Sequence, residues 1–207
     1  MIGVFGGTFD PIHYGHLRAA LEVQQLLGMR QIRFIPSFIP PHRAMPGANS
    51  QQRLAMLRLA IADEPGFAVD ERELDRGGPS YMVDTLASLR DELGDEPIAL
   101  ILGQDAFAKL DSWHHWPRIN ELAHLVVVSR PGGTLPEVGP LAELLAQRRC
   151  RELALLQGHP AAKLWVQEVT SLDISATKIR ALAKQSGFRF LTPEPVREYI
   201  EAQGLYR

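Results

Sequence analysis

The sequence predicts an α/β fold built on a mostly parallel sheet. Short apolar runs alternate with stretches of helical periodicity, as strands joined by crossover helices do. The run at residues 98–102 is continuously apolar, as a strand buried on both faces is. The first run stops at two glycines and passes into a helical pattern, so backbone N–H groups and the positive end of a helix dipole converge on one point. Together these predict a Rossmann-like, doubly wound sheet with helices on both faces, in one domain over residues 1–207.

Each element has its own signal. Residues 2–5 form the first strand, ended by Gly6 and Gly7, which are expected to take positive φ and admit a ligand to the backbone. Asp10-Pro11 reads as a turn. Leu17, Ala20, Leu21 and Leu27 mark one helical face, with Gly28 as its C-cap. Residues 32–35 form a second strand, continued by a loop at 36–43 that its prolines hold extended. Ser50 is expected to cap a helix through Leu54, Leu57 and Ile61. A short strand at 67–69 precedes a helix opened by Ser80, with Val83, Leu86 and Leu89 on its apolar side. Further strands lie at 98–102 and within 124–129, and residues 131–140 read as a loop. Ligands of open α/β sheets bind beyond the carboxyl ends of the strands, so the segments after Phe5, Ile35, Leu102 and Val128 are predicted to form one composite site.

Composition excludes several classes. With 22 Lys and Arg against 24 Asp and Glu, the net charge of −2 argues against a nucleic-acid-binding surface. The lone Cys150 allows no intrachain disulfide and suits a reducing compartment. No apolar run approaches a membrane span, and residue 1 enters a strand without a basic and apolar leader. A cytoplasmic protein with no membrane or nucleic-acid partner is expected, and a homo-oligomer is compatible with the sequence.

Two constellations carry chemistry. His13 and His16 stand three apart at a helix start. Such a pair can bind a metal, move protons or donate hydrogen bonds to phosphoryl oxygens; its ordinary alternative is one core and one surface histidine. Zinc needs more ligands than this pair and one cysteine offer, so no protein-held metal is expected. The glycine loop beside the pair favours a phosphate, with Gly15 removing a side chain where it would approach. Near the end, Ser175 is a good N-cap, Thr177 lies in the first turn and Arg180 shares its face. Hydroxyls, free amides and a guanidinium there make a second polyphosphate grip; the alternative is a capped helix with solvated basic residues.

Gly6-Gly7-Thr8-Phe9-Asp10-Pro11 with His13-Tyr14-Gly15-His16 resembles the signature of the nucleotidyltransferase superfamily. Ile174-Ser175-Ala176-Thr177-Lys178-Ile179-Arg180 resembles its I-S-S/A-T-x-x-R motif. Pro40-Pro41-His42-Arg43, the Glu73-to-Leu86 stretch with Gly77-Gly78-Pro79-Ser80-Tyr81, Gly103-Gln104-Asp105 before Leu110 and Trp113, and Ser129-Arg130-Pro131-Gly132 are similar to bacterial nicotinate mononucleotide adenylyltransferases. The likeness extends to residues 192–200 and so covers nearly the whole chain.

The resemblance implies transfer of the adenylyl group of ATP, with Mg²⁺, to nicotinate mononucleotide in NAD biosynthesis. It implies His13, His16 and Arg180 as catalytic residues. It implies ATP contacts from Gly6, Gly7, Thr8, Phe9, Gly103, Asp105, Arg130, Ser175 and Thr177 as well. For the mononucleotide it implies Ser37, Arg43, Tyr81, Met82, Thr85, Asp105, Trp113 and His114. Trp113 offers a flat face to a pyridinium ring. The nicotinate carboxylate would meet main-chain amides of Met82 and His114, which stand where the family commonly has Thr and Tyr. The rivals are the same reaction on nicotinamide mononucleotide and a nucleotide-binding regulator without turnover. A phosphopantetheine adenylyltransferase would leave the Gly-Pro-Ser-Tyr and Trp113 segments unexplained.

Overall fold

The computed structural model describes residues 1–41, 45–130, 132–185 and 187–207. Strand β1 (Ile2–Gly7) leads through α1 (Tyr14–Leu27) to β2 (Gln31–Pro36). Helix α2 (Ser50–Ile61), β3 (Phe67–Val69), α3 (Arg72–Arg76) and α4 (Met82–Leu93) follow. Then come β4 (Ile98–Gly103), α5 (Gln104–Phe107), α6 (Trp116–Leu122), β5 (His124–Ser129), α7 (Pro140–Arg148) and α8 (Leu153–Gln157). The last elements are β6 (Leu164–Glu168), α9 (Ala176–Ala183) and α10 (Glu194–Ala202).

The sheet has the order β3-β2-β1-β4-β5-β6, and every adjacent pair is parallel. Chain direction across the sheet reverses between β1 and β4, which leaves a crevice at their carboxyl ends. Alternate strand residues feed two cores. Phe34, Ile101 and Val126 pack with Val23, Leu57, Ile179 and Val196 from α1, α2, α9 and α10. Val4, Leu100 and Leu125 pack with Leu86, Ile119 and Leu141 from α4, α6 and α7. Helices therefore cover both faces, as the sequence predicts, and the sheet is wholly rather than mostly parallel. No helix among the described residues is long and apolar enough to cross a membrane.

Two expected caps differ. Asn49, not Ser50, caps α2, in a reciprocal pair with Gln52 that satisfies two backbone donors. Tyr81, not Ser80, precedes α4; the Ser80 hydroxyl instead accepts from the Phe38 N–H at 2.8 Å and so ties the loop after β2 to the start of α4. Strand β6 and the segment that follows it are absent from the sequence reading.

His124 opens β5 fully buried. Its Nδ1 accepts from the Lys163 N–H at 3.1 Å and its Nε2 donates to the His159 carbonyl at 2.8 Å, which fixes one neutral tautomer. Burial pushes its pKa below 6.5, so the unfolded chain binds a proton there that the folded protein refuses. The contribution is complete above 6.5 and is lost as pH falls below it. Stability is expected to drop by about 1.4 kcal/mol per pH unit over that window from this group alone. Urea melts on either side of the window check it, and an His124→Asn variant should have a shallower slope.

Candidate active site

Beyond the carboxyl ends of β1, β4 and β5 lies a half-open cleft of about 200 Å³. Phe5, His13, Gly103, Asp105 and Arg130 line it, whereas no residue of the segment after Ile35 does. Asp105 stands in the first turn of α5, directly after the central strand. A Cβ on Gly103 would meet nothing within 4 Å, so this glycine borders open space. The opposite wall is Thr170, Ser171 and Leu172, from the unanticipated segment after β6. The apolar residues Leu164, Trp165 and Val166 were the available signal.

His13 is the N-cap of α1 in extended conformation, and the helix starts one residue later. The His13 and His16 rings stack with centroids 3.7 Å apart. The His16 ring also meets the Phe9 ring edge to face at 5.4 Å. His13 is only 6 % exposed, and its Nδ1 has no hydrogen-bond partner among the described residues. Burial lowers its pKa from 6.5 to about 4, so near neutrality it is an uncharged ring with one N–H to give.

The glycines of the loop do other work than expected. Gly6 and Gly7 belong to β1 and neither has positive φ; the residue in the left-handed region is Phe9, with φ 48°. A Cβ on Gly6 would come within 2.4 Å of Met82 Cε, and one on Gly7 within 2.9 Å of the Phe9 ring. The pair thus lets the start of α4 and the Phe9 ring close onto β1. A Cβ on Gly15 would stand 3.0 Å from the His13 ring and 3.4 Å from the Ile174 carbonyl. Its absence makes room for the histidine itself, beside the segment that leads into α9.

Ser175 caps α9, its hydroxyl accepting from the Lys178 N–H at 3.2 Å. Arg180 reaches the Thr177 hydroxyl at 3.4 Å and donates to the Asp10 carbonyl at 2.7 Å. Its guanidinium lies 3.7 Å from the Asp10 carboxylate. Thr177 and Arg180 border a second, open groove together with Lys184, Tyr206 and Arg207, whereas His13 borders the cleft. Asp10, read from sequence only as a turn residue, is the link between the two motifs. It is 5 % exposed and accepts from the N–H groups of Gly47 and Ala48, at 2.8 and 3.1 Å, and from the Tyr206 hydroxyl at 2.7 Å. Burial and the Asp10 charge push the Tyr206 pKa up, so this phenol stays a donor.

Of the residues expected at a mononucleotide, Tyr81 and Met82 stand at the start of α4, and Asp105 borders the cleft. Ser37 is 8 % exposed with its Oγ unpartnered among the described residues. The Ser80 N–H donates to the Ile39 carbonyl at 2.9 Å, which holds the loop after β2 against the start of α4. The Tyr81 ring lies 4.4 Å from the His114 ring. Trp113 is half-buried against the second core. Met82 is the first residue of α4, where backbone N–H groups lack intrahelical acceptors. Thr85 does not face that space: it is fully buried, donates to Glu73 Oε1 at 2.6 Å and accepts from Arg76 at 3.1 Å. It supports the first turn of α4 from beneath, and Glu73, whose carboxyl pKa burial pushes up, enters the sequence reading only as the first residue of the family-like stretch, with no role given to it. Arg43 lies outside the described residues.

Residues 4–182 match the family described as cytidylyltransferase-like, and the chain belongs to that family. A protein of Methylococcus capsulatus named "Probable nicotinate-nucleotide adenylyltransferase" is 49 % identical over 208 residues, covering 100 % of this chain and 99 % of that one. A protein of the same name from Halorhodospira halophila is 51 % identical over 208 residues, covering 99 % and 94 %. Within the larger group, this chain is therefore a member of the nicotinate-nucleotide adenylyltransferase family. The fold is shared with Plasmodium falciparum nicotinic acid mononucleotide adenylyltransferase complexed with NaAD, at a TM-score of 0.74, 15 % identity and coverage of 99 % and 96 %.

Tyr206→Phe removes one donor from the buried Asp10 carboxylate. It is expected to destabilise the protein by about 1–3 kcal/mol in urea melts. A change below about 0.5 kcal/mol would show that the carboxylate is satisfied without it.

Proposed function

We propose that this chain joins ATP to nicotinate mononucleotide at the switch point of the sheet, releasing pyrophosphate and forming nicotinate adenine dinucleotide. The supporting observation in the site is the stacked His13–His16 pair at the end of β1, with a buried unpartnered nitrogen beside an open cleft. Buried polar atoms in folded proteins are almost always paired, so a nitrogen left without a partner there suits a ligand that completes it.

An oxygen of the mononucleotide 5′-phosphate attacks the α-phosphorus of ATP in line. The new O–P bond forms as the bond to the β-phosphate oxygen breaks, and the electron pair leaves with pyrophosphate. The nucleophile is already anionic, so the chain supplies positions and hydrogen-bond donors rather than a base. Neutral His13 would donate one N–H to a phosphoryl oxygen, and His16, stacked on it, would lie nearest the reacting phosphorus. Ser175, Thr177 and Arg180 would hold the outer phosphates, with Arg180 kept in place by the Asp10 carbonyl. Gly103 and Asp105, which line the cleft, would border the ATP ribose.

Among the described residues no three His, Cys, Asp or Glu side chains cluster to hold a metal ion. Mg²⁺ would then arrive with ATP, held by phosphate oxygens and water, and would neutralise the developing charge. At the other end Trp113 would stack on the pyridine ring, and the first amides of α4 would take the carboxylate. That helix end favours the acid over the amide by about 0.3–2 kcal/mol.

His16→Ala is expected to lower turnover with Mg²⁺-ATP and nicotinate mononucleotide roughly a hundredfold, about 2.7 kcal/mol, with little change in melting temperature. Near-normal turnover in that variant would remove His16 from the reaction.

A further inference from the structure

Arg53 is a charged side chain on an apolar helix face, with the Asp10 carboxylate close enough to favour its charge against the cost of burial. It lies in the first turn of α2, whose inner face is otherwise Leu54, Met56, Leu57 and Ile61, and it is only 1 % exposed. Among the described residues its hydrogen bonds go to main-chain carbonyls: Nη1 donates to Thr8 at 2.8 Å, and Nη2 donates to Ser37 at 2.6 Å and Phe38 at 3.2 Å. Its Nε is buried without a hydrogen-bond partner among the described residues. Burying a guanidinium this way is costly, and an apolar side chain of similar volume would fill the space at less expense. What an apolar side chain cannot do is hold three carbonyls in a fixed planar fork.

Those carbonyls belong to two different loops. Thr8 follows β1, five residues before His13 in the loop that carries the histidine pair. Ser37 and Phe38 follow β2 in the loop that borders the start of α4. The sheet itself joins the two strands only as far as Gly7 and Ser37, where the Ser37 N–H donates to the Gly7 carbonyl at 2.9 Å. The strand pairing ends at that bond, and beyond it Arg53 joins the two loops through their carbonyls. Asp10 anchors the same end of α2, through Gly47 and Ala48.

We infer that Arg53 is a positioning residue for the transfer step. It fixes the separation between the loop of the histidine pair and the loop beside the mononucleotide, and so sets the in-line alignment of the attacking phosphate with the α-phosphorus. The inference rests on the reaction proposed above. In-line transfer is sensitive to such spacing, since a misplacement of about 1 Å can cost roughly a hundredfold in rate.

The test uses Arg53→Lys, which keeps a buried cation but not the planar fork, and Arg53→Gln, which keeps a planar donor without the charge. For each folded variant, kcat at saturation of both substrates, the KM values, the dissociation constant of ATP alone and the melting temperature are measured. The inference predicts that kcat falls roughly tenfold to a hundredfold while ATP affinity stays within about threefold. A folded variant with parental kcat would overturn it, and so would a loss confined to KM. Failure of both variants to fold would also overturn it, because Arg53 would then be needed for the fold rather than for alignment. If the parent protein itself releases no pyrophosphate with either nicotinate or nicotinamide mononucleotide, the proposed reaction fails first. If the parent turns over and the variants match it, only the role of Arg53 fails.

Discussion

The Asp10 carboxylate is the constraint on which the site depends. Left alone, a charge at 5 % exposure would cost several kcal/mol, and four groups from distant parts of the chain relieve it. They are the Gly47 and Ala48 N–H groups before α2, the Tyr206 hydroxyl and the Arg180 guanidinium. The Asp10 carbonyl binds Arg180 as well. One residue in the first loop therefore fixes the entry to α2, the last residues of the chain and the basic side chain of α9. Two motifs separated by most of the sequence meet because each satisfies the other's charge.

This clamp works at a place the sheet prepares. Winding reverses between β1 and β4, so the crossover helices leave on opposite faces and leave the strand ends between them open. The cleft occupies that opening. The glycines of β1 are small for contacts within the protein: Met82 from α4 closes on Gly6, and Phe9 closes on Gly7. The start of α4 is thereby packed against the strand that leads to the histidine pair. The start of α4 and the first loop are joined by close approach of backbone as much as by side-chain contacts.

Much of this was legible in the sequence. Alternating apolar runs and helical patterns gave the α/β sheet, and glycines, histidines and the Ser175 cap marked the strand end and the two motifs. What stayed hidden was set by tertiary contact. Asp10 and Arg53 are charged residues that a local reading places at the surface, yet both are buried by partners far along the chain. Thr85 falls on the predicted helix, but only the packed structure shows its hydroxyl turned to Glu73. Strand β6 is short and ends in Gln167-Glu168, so its apolar signal is weak, and the cleft wall it leads to went unseen with it. The caps of α2 and α4 each moved by one residue: the Asn49 side chain takes the α2 donor in place of Ser50, and the Ser80 hydroxyl is taken by the Phe38 N–H of another loop, leaving α4 without a side-chain cap.

In the proposed reaction the loops after the strands and the amides at the start of α4 together select an anionic pyridine mononucleotide. The most direct measurement is pyrophosphate release with Mg²⁺-ATP, using nicotinate and nicotinamide mononucleotides in parallel at matched concentrations. The account predicts a higher kcat/KM for the acid, up to about thirtyfold from one helix end. Equal rates, or a preference for the amide, would contradict it.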